Sequence, residues 1–482
     1  MENAGRSVAD IISDRFGTKS LVIIYSGTGR NGGDGMVVAR HLAGRKFRVA
    51  LRLVGNSSAI TDPIVRQNWI ALKSMSTSMK IEECRDSSLL TKSKSDVLVD
   101  AVLGTGAKGK LRQPILRAVQ AMNESSGFKV AVDVPTGIDS DTGEVLGDAV
   151  HADLTVTFHG IKPGITRAIR FCGEVAVVDI GLPPEAYINA GPGDVDAVRV
   201  RRPSTAHKGD YGRLLIIGGS ETFSGAPALV ALAAYRTGTD LVFIAAPDKT
   251  AHAISAMSPT LISLKLPGEN LEPRHVQFLR GNIEQATAIA IGPGLGRSPK
   301  TVTAARNIIS IAHELKKPLL VDADAINALG PLRKKMFGPS AVLTPHAGEF
   351  KIIAEKAPSK DMETRSNEVK SMAAKSGAVL LLKGDTDVIS DGQHVKLNRT
   401  GNPGMTVGGT GDVLSGIISG LLAQGIGAFR AAVAGAFISG AAGDLAAEEF
   451  GYHLTPTDIL DRIPRVMDNP MCHKDIYQKR LR

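Results

Sequence analysis

Short aliphatic and β-branched runs alternate with helical spacings along most of this chain, and that alternation leaves a parallel α/β architecture as the expected fold class. In the first half the runs at 21–25, 48–54, 97–101, 130–134, 154–158 and 175–179 read as strands. In the second half the corresponding runs are 214–217, 241–245, 288–291, 319–321, 342–343 and 379–382. At 482 residues the chain exceeds what a single hydrophobic core usually serves. Between the two series lies 182–205, with Pro183, Pro184, Gly191, Pro192, Gly193 and Pro203 and no sustained periodicity. We therefore expect two α/β domains, 1–185 and 206–482, with 186–205 as a linker and no internal repeat relating the halves.

Composition narrows the class of protein. Hydrophobic content of 43% suffices for burial, and 52 glycines suit a chain full of tight strand-to-helix turns. The longest apolar region, 413–447, is interrupted by Gln424, Arg430 and Asp444, so no membrane span is expected. Glu2, Arg6, Asp10 and Asp14 occupy the place of a signal-peptide apolar core, and Cys84, Cys172 and Cys472 form neither a disulfide framework nor a metal cluster. A cytoplasmic location is the expectation. The net charge of +9 comes from dispersed Lys and Arg with no basic run interleaved with aromatics, so it reads as a solvated surface rather than a nucleic-acid footprint. The basic end, 474–482, reads as a frayed terminus.

The second half holds the most chemically loaded motif. Thr406-Val-Gly-Gly-Thr-Gly-Asp412 leads directly into a helical pattern of Val413, Leu414, Ile417, Ile418, Leu421 and Leu422. Helix N-terminal N–H groups lack intrahelical partners and lie at the positive end of the macrodipole, so phosphate oxygens are favoured there. Asp412 would be a base beside that anion hole. Gly416 and Gly420 allow close backbone approach. Further strand ends run into Ile291-Gly-Pro-Gly-Leu-Gly296, Val321-Asp-Ala-Asp-Ala-Ile-Asn327, Leu343-Thr-Pro-His-Ala-Gly-Glu349 and Leu382-Lys-Gly-Asp385, which would converge on one sheet edge.

The first half carries Ser26-Gly-Thr-Gly-Arg-Asn-Gly-Gly-Asp-Gly35, where Gly27, Gly29 and Gly32 satisfy G-x-G-x-x-G by spacing. A dehydrogenase loop also wants a carboxylate ending the second strand, to hold ribose hydroxyls. Here that strand, 48–54, has none. Strands ending at Asp100 and Asp133 each lead into glycine loops, and Asn31, Asp100 and Thr136 together offer hard oxygen ligands for an alkali or alkaline-earth ion.

Met1-Glu-Asn-Ala-Gly5, Asn31-Gly-Gly-Asp-Gly35, Asp100-Ala-Val-Leu-Gly-Thr-Gly106 and Asp133-Val-Pro-Thr-Gly137 resemble the NAD(P)H-hydrate epimerase domain, the YjeF N-terminal family, over residues 1 to about 185. The resemblance implies a Rossmann-like parallel α/β fold. It implies that Arg30, Asn31, Gly32, Gly33 and Asp34, with Gly104, Thr105, Gly106, Ala107, Lys108, Gly109 and Lys110, contact the hydrated dinucleotide. It further implies K+ held by Asn31, Asp100 and Thr136, and Asp133 against the hydrated ring as the acid/base group, since epimerising the hydrated carbon needs proton transfer at its hydroxyl or ring nitrogen. Arg30 stands where the family usually has a second Asn. Relatives normally carry a helical stretch ahead of Met1-Glu-Asn-Ala-Gly5, so either the start lies upstream or this domain lacks that helix.

From about residue 200 to 465, the ordered series ending in Asn402-Pro-Gly-Met-Thr-Val-Gly-Gly-Thr-Gly-Asp412 resembles the ribokinase-like ADP/ATP-dependent NAD(P)H-hydrate dehydratase family. That resemblance implies contacts from Ala226, Gly294, Gly296, His346 and Asp412 to the hydrated dinucleotide. Lys383, Gly384, Asp385, Thr386 and Asp387, with Gly409, Thr410 and Gly411, would hold the adenine nucleotide. Ala347 replaces the usual Pro after the His, and Asp387 stands where many members have Thr. The implied activity is repair. The dehydratase would phosphorylate the hydroxyl of the S hydrate with ADP and Mg2+ and then eliminate phosphate, with Asp412 as base, while the epimerase would convert R to S. The implied partners are NADHX, NADPHX and ADP, with no nucleic acid and no membrane, and a homo-oligomer is the expected assembly. A hydroxymethylpyrimidine-type kinase, a dinucleotide-sensing N-terminal module and a hydride-transferring dehydrogenase are the alternatives that the residues leave open.

Overall fold

Strand formation follows the aliphatic runs closely, because parallel strands covered on both faces need apolar side chains at successive positions. In the computed structural model, residues 1–75, 77–200, 202–331, 336–474 and 476 are described, and within these the chain divides by its contacts into Met1–Pro183 and Pro184–Arg482. Residues 475 and 477–482, most of the basic end read above as a frayed terminus, lie outside the described residues.

The first unit is built on β1 (Leu21–Ser26), β2 (Arg48–Val54), β3 (Lys80–Cys84), β4 (Lys94–Ala101), β5 (Ser126–Val132), β6 (Leu154–Phe158) and β7 (Glu174–Val178). They form one parallel sheet in the order β3-β2-β1-β4-β5-β6-β7. The order reverses between β1 and β4, where chains leaving the two carboxyl ends diverge and open a crevice. The sequence pattern missed β3, whose Lys80-Ile-Glu-Glu-Cys84 has little apolar signal at the sheet edge. It also ran the strand at 130–134 too far: β5 stops at Val132 because Asp133 takes a left-handed φ of 70°. Residues Glu2–Arg15 are helical, with Val8, Ala9 and Ile12 buried. Gly5 lets this helix seat on the helix Arg30–Gly44, since a Cβ there would lie 2.5 Å from that of Val37.

The second unit carries β8 (Arg213–Ile217), β9 (Leu241–Pro247), β10 (Ile262–Leu266), β11 (Ala288–Ile291), β12 (Leu319–Val321), β13 (Ala341–Leu343), β14 (Val379–Leu382), β15 (Asp387–Ser390) and β16 (Val395–Asn398). Their order is β10-β9-β8-β11-β12-β13-β14-β15-β16, parallel except for the last two pairings. Alternate residues of β8 serve opposite cores: Leu214 and Ile216 face one, Leu215 and Ile217 the other. The expected linker is instead part of this unit. Its proline spacing admits only short turns, and these form the helices Glu185–Ile188 and Pro192–Asp196, tied down by Lys396 Nζ donating to Asp194 at 3.0 Å and by burial of Val195 and Val198. Among the described residues no helix is long and apolar enough to cross a membrane.

The helix Thr410–Ala423 rests on the helix Gly225–Arg236 through glycine. A Cβ on Gly416 would lie 2.3 Å from Val230 O, and one on Gly420 would lie 2.4 Å from Thr237 Oγ1. Gly416→Val forces these backbones apart and is expected to lower the second unit's stability by about 1–3 kcal/mol. A chemical-denaturation midpoint unchanged from wild type would contradict this packing.

Candidate active sites

In the first unit the carboxyl ends of β1, β4, β5 and β6 gather the polar groups. The turn after β1 is tight enough to require glycine: a Cβ on Gly27 would lie 2.1 Å from Val102 O, and one on Gly32 would lie 1.9 Å from Gly27 O. This close turn swings Asn31 into the sheet edge, where its Nδ2 donates to Val132 O at 2.7 Å. Its buried Oδ1 has no hydrogen-bond partner. Asp100, at the end of β4, is 2% exposed and accepts from Thr136 Oγ1 at 2.6 Å and from Thr136 N–H at 2.7 Å. Burial lifts its carboxyl to about 6 against those hydrogen bonds. An orphaned amide oxygen together with a dry carboxylate and hydroxyl is a donor set that fits a weakly hydrated monovalent cation. Among the described residues no group of three or more His, Cys, Asp or Glu side chains is arranged to hold a metal ion.

Asp34 is pushed up to about 7 by burial, and the charge of Asp133 adds to that. Asp133 itself pairs with Lys162, a residue the sequence pattern did not single out; its neighbours Gly160 and Pro163 look like an ordinary turn. Arg30 heads the following helix and pairs with Asp62 at 2.9 Å, while Gly33 lies against the side chain of Met1. Gly104 packs against Asn31, with a Cβ position 2.8 Å from Nδ2. From there Thr105, Gly106, Ala107, Lys108, Gly109 and Lys110 form a largely exposed loop, and Lys108 bridges Asp139 and Asp141 at 2.9 Å each.

The second unit's strand ends deliver a charged centre. Helix Thr410–Ala423 starts on Gly409 at φ 100°, with no side chain capping its free N–H groups. Lys383, leaving β14, reaches this helix start: a Cβ on Gly411 would lie 3.7 Å from its Nζ. Nζ donates to Asp322 Oδ1 at 2.9 Å, and Asp322 also accepts from Ser415 Oγ at 2.7 Å. Burial disfavours the Asp322 charge, but Lys383 and Ser415 hold its carboxyl below the ordinary range. Burial disfavours the Lys383 ammonium as well, and Asp322, Glu349 and Asp412 together outweigh that and raise it. Asp412 is lifted to about 7 by burial and by the Asp322 charge, with Lys383 opposing. A carboxyl poised there can accept a proton near neutrality.

His346 caps the helix Ala347–Ala354. Its Nδ1 accepts from the N–H groups of Gly348 at 2.9 Å and Glu349 at 3.2 Å, and the Glu349 carboxylate returns to His346 N–H at 2.9 Å. An accepting Nδ1 means the ring is neutral with its proton on Nε2, and burial together with Lys383 lowers its proton affinity accordingly. Ala226 and Gly294 are neighbours, since a Cβ on Gly294 would lie 3.5 Å from that of Ala226; Gly296 N–H donates to Asp324 at 2.9 Å. A cavity of about 510 Å³ takes in Lys383, Gly384, Asp385, Asp387, Thr410 and Gly411, along with Asn398 and Asn402. Asp387, pushed up to about 6 by burial, accepts from Gly384 N–H and Asn398 Nδ2 at 3.0 Å each. Thr386 precedes it on the turn, and Gly409 packs against Leu229 and Pro456; neither Thr386 nor Gly409 lines the cavity. Asp322 and Glu349 lie inside the strand-end motifs noted in the sequence but were given no role there, and Ser415 and Asn398 were not singled out at all. Glu349 also carried a usable signal, the three-residue spacing from His346 that marks a reciprocal cap.

A family model described as NAD(P)H-hydrate dehydratase matches residues 214–465, and one described as YjeF-related protein N-terminus matches 1–164. A curated bifunctional NAD(P)H-hydrate repair enzyme from Hyperthermus butylicus is 45% identical over 98% of this chain and 88% of that protein. The one from Pyrobaculum aerophilum is likewise 45% identical, over 97% of this chain and 93% of that protein. Among solved structures, an ADP/ATP-dependent NAD(P)H-hydrate dehydratase from Bacillus subtilis, co-crystallised with ATP and Mg2+, is 28% identical, covers 58% of this chain and 97% of that one, and superposes with a TM-score of 0.50. Two family models in tandem, with relatives of this identity spanning nearly the whole length, place the chain in the family of bifunctional NAD(P)H-hydrate repair enzymes.

Proposed function

We propose that the second unit dehydrates the S hydrate of NADH or NADPH at the expense of ADP, and that the first unit interconverts the R and S hydrates. The observation that carries this reading is Asp412, within electrostatic reach of Lys383, at an uncapped, glycine-opened helix start whose Thr410 and Gly411 line a cavity of about 510 Å³. Hydroxide is a poor leaving group. Asp412 takes the proton of the substrate hydroxyl as its oxygen attacks the β-phosphorus of ADP, AMP leaves, and the product is a phosphate ester. Helix-start amides and Lys383 offset charge on the transferring group. Phosphate then departs, driven by the ring nitrogen lone pair, and loss of a proton from the adjacent carbon restores the dihydropyridine. Mg2+, when bound with the nucleotide, adds charge neutralisation at the phosphates; the carboxylates at hand suit an ion that keeps most of its ligands from phosphate and water. The His346 Nε2–H donates to the hydrated dinucleotide, and Lys383 to Asp387 with Gly409 to Gly411 line the nucleotide.

In the first unit Asp133 exchanges the proton at the hydrated carbon's hydroxyl or at the ring nitrogen, and the helix start at Arg30 to Asp34 with the loop at Gly104 to Lys110 hold the dinucleotide. Asn31, Asp100 and Thr136 hold K+, which would supply local positive charge near the substrate phosphates. A cytoplasmic setting agrees with free thiols at Cys84, Cys172 and Cys472.

A mixture of R and S hydrates incubated with protein, ADP and Mg2+ is expected to give NADH absorbance and stoichiometric AMP until both hydrates are consumed. Asp412→Asn is expected to slow dehydration by about 10²–10⁴-fold while R-to-S exchange continues; loss of both in a folded variant would contradict two separate sites. Dehydration needs Asp412 ionised, and its carboxyl is lifted to about 7, so kcat/KM for the S hydrate should rise with pH up to about 7 and level off above. A profile already flat at pH 5–6 would rule out this base. Replacing K+ with a bulky organic cation should slow exchange and leave dehydration unchanged, as followed by chromatography of the two hydrates.

A further inference from the structure

Asp133 and Lys162 sit on adjacent strand ends in an arrangement that a plain surface ion pair would not need. Asp133 follows β5 in the left-handed region at φ 70°, and His159 follows β6 at φ 73°. Non-glycine residues hold such conformations only where their surroundings over-determine them, and such positions cluster at functional sites. The backbone N–H of Asp133 is fixed to Val156 O at 2.8 Å. The bend after Phe158 brings Lys162, at the head of the short helix Pro163–Arg167, back over the end of its own strand. The two side chains are only 15% and 21% exposed.

The hydrogen bonding is one-sided. Lys162 Nζ donates to Asp133 Oδ1, to Thr157 Oγ1 at 2.9 Å and to Phe158 O at 2.9 Å. An ammonium has three protons, so Lys162 has none left for a substrate. Oδ1 also accepts from Thr157 Oγ1 at 3.3 Å and Phe158 N–H at 3.4 Å. Among the described residues Oδ2 accepts nothing. Asp34 lies close enough to feel the charge of Asp133.

We propose that Lys162 is a positioning residue for the first unit's reaction: by saturating Oδ1 of Asp133 it leaves Oδ2, unencumbered, as the oxygen that meets the substrate. This rests on the reading of Asp133 as the acid/base group. Lys162 acts through Asp133 and does not touch the reacting atoms.

The test uses the full chain, with R-to-S exchange followed chromatographically without adenine nucleotide, the first unit's thermal unfolding transition as the check on its folding, and dehydration of pure S hydrate as the check on the second unit. Lys162→Ala should lower kcat for exchange by about 10–100-fold, the scale of a lost charge-assisted hydrogen bond, with KM changed little. Methylammonium added to Lys162→Ala, or Lys162→Arg in its place, should restore part of kcat. Wild-type exchange in Lys162→Ala would overturn the proposal. So would a loss that neither methylammonium nor Arg recovers, or one expressed mainly in KM. Exchange that persists in Asp133→Asn would overturn the acid/base reading itself, and the proposal with it; loss in Asp133→Asn beside full activity in Lys162→Ala would overturn the positioning role alone.

Discussion

A half-buried ammonium among carboxylates organises the second unit. Lys383 leaves a central strand and meets Asp322 from the next strand but one, with Glu349 and Asp412 within electrostatic reach. Its charge is tolerable there only because Asp322 answers it, and Asp322 is tolerable only because Lys383 and Ser415 answer it in turn. That mutual requirement fixes how β12, β14 and the helix Thr410–Ala423 meet. It also leaves Asp412 half-answered, which is the electrostatic condition for a base that works near neutrality.

The first unit solves a related problem with different groups. Asp100 is drier than Asp133, and its partners are neutral: the Thr136 hydroxyl and the backbone N–H groups of Thr136 and Val102. Asp133 instead has a dedicated ammonium. The contrast separates two ways of holding a carboxylate at one sheet edge, one with neutral donors and the other with a paired charge.

Much of this was legible in the sequence, and the gaps have physical causes. Aliphatic runs announced the central parallel strands because burial on both faces demands them. The edge strands Lys80–Cys84 and Ile262–Leu266 and the antiparallel pair Asp387–Ser390 and Val395–Asn398 carry mixed polarity and gave no comparable signal. Glycine motifs marked the tight turns at the strand ends, since close backbone approach leaves few other choices of residue. Residues that act through another side chain left no mark: Lys162, Ser415 and Asn398 are ordinary in sequence and become meaningful only when folding sets them beside Asp133, Asp322 and Asp387. Residues 186–205 were misjudged for a similar reason, because two turns of helix are too short to show a period.

The glycine seat between the helices Thr410–Ala423 and Gly225–Arg236 bears on aim. A helix held off its neighbour by leucine side chains shifts a little with every rotamer hop. Here peptide groups of one helix rest almost directly on those of the other at Gly416. Such a joint has no soft layer to compress. The direction in which the amides after Gly409 point is therefore set by the close seating of one backbone on another rather than by the statistics of side-chain motion.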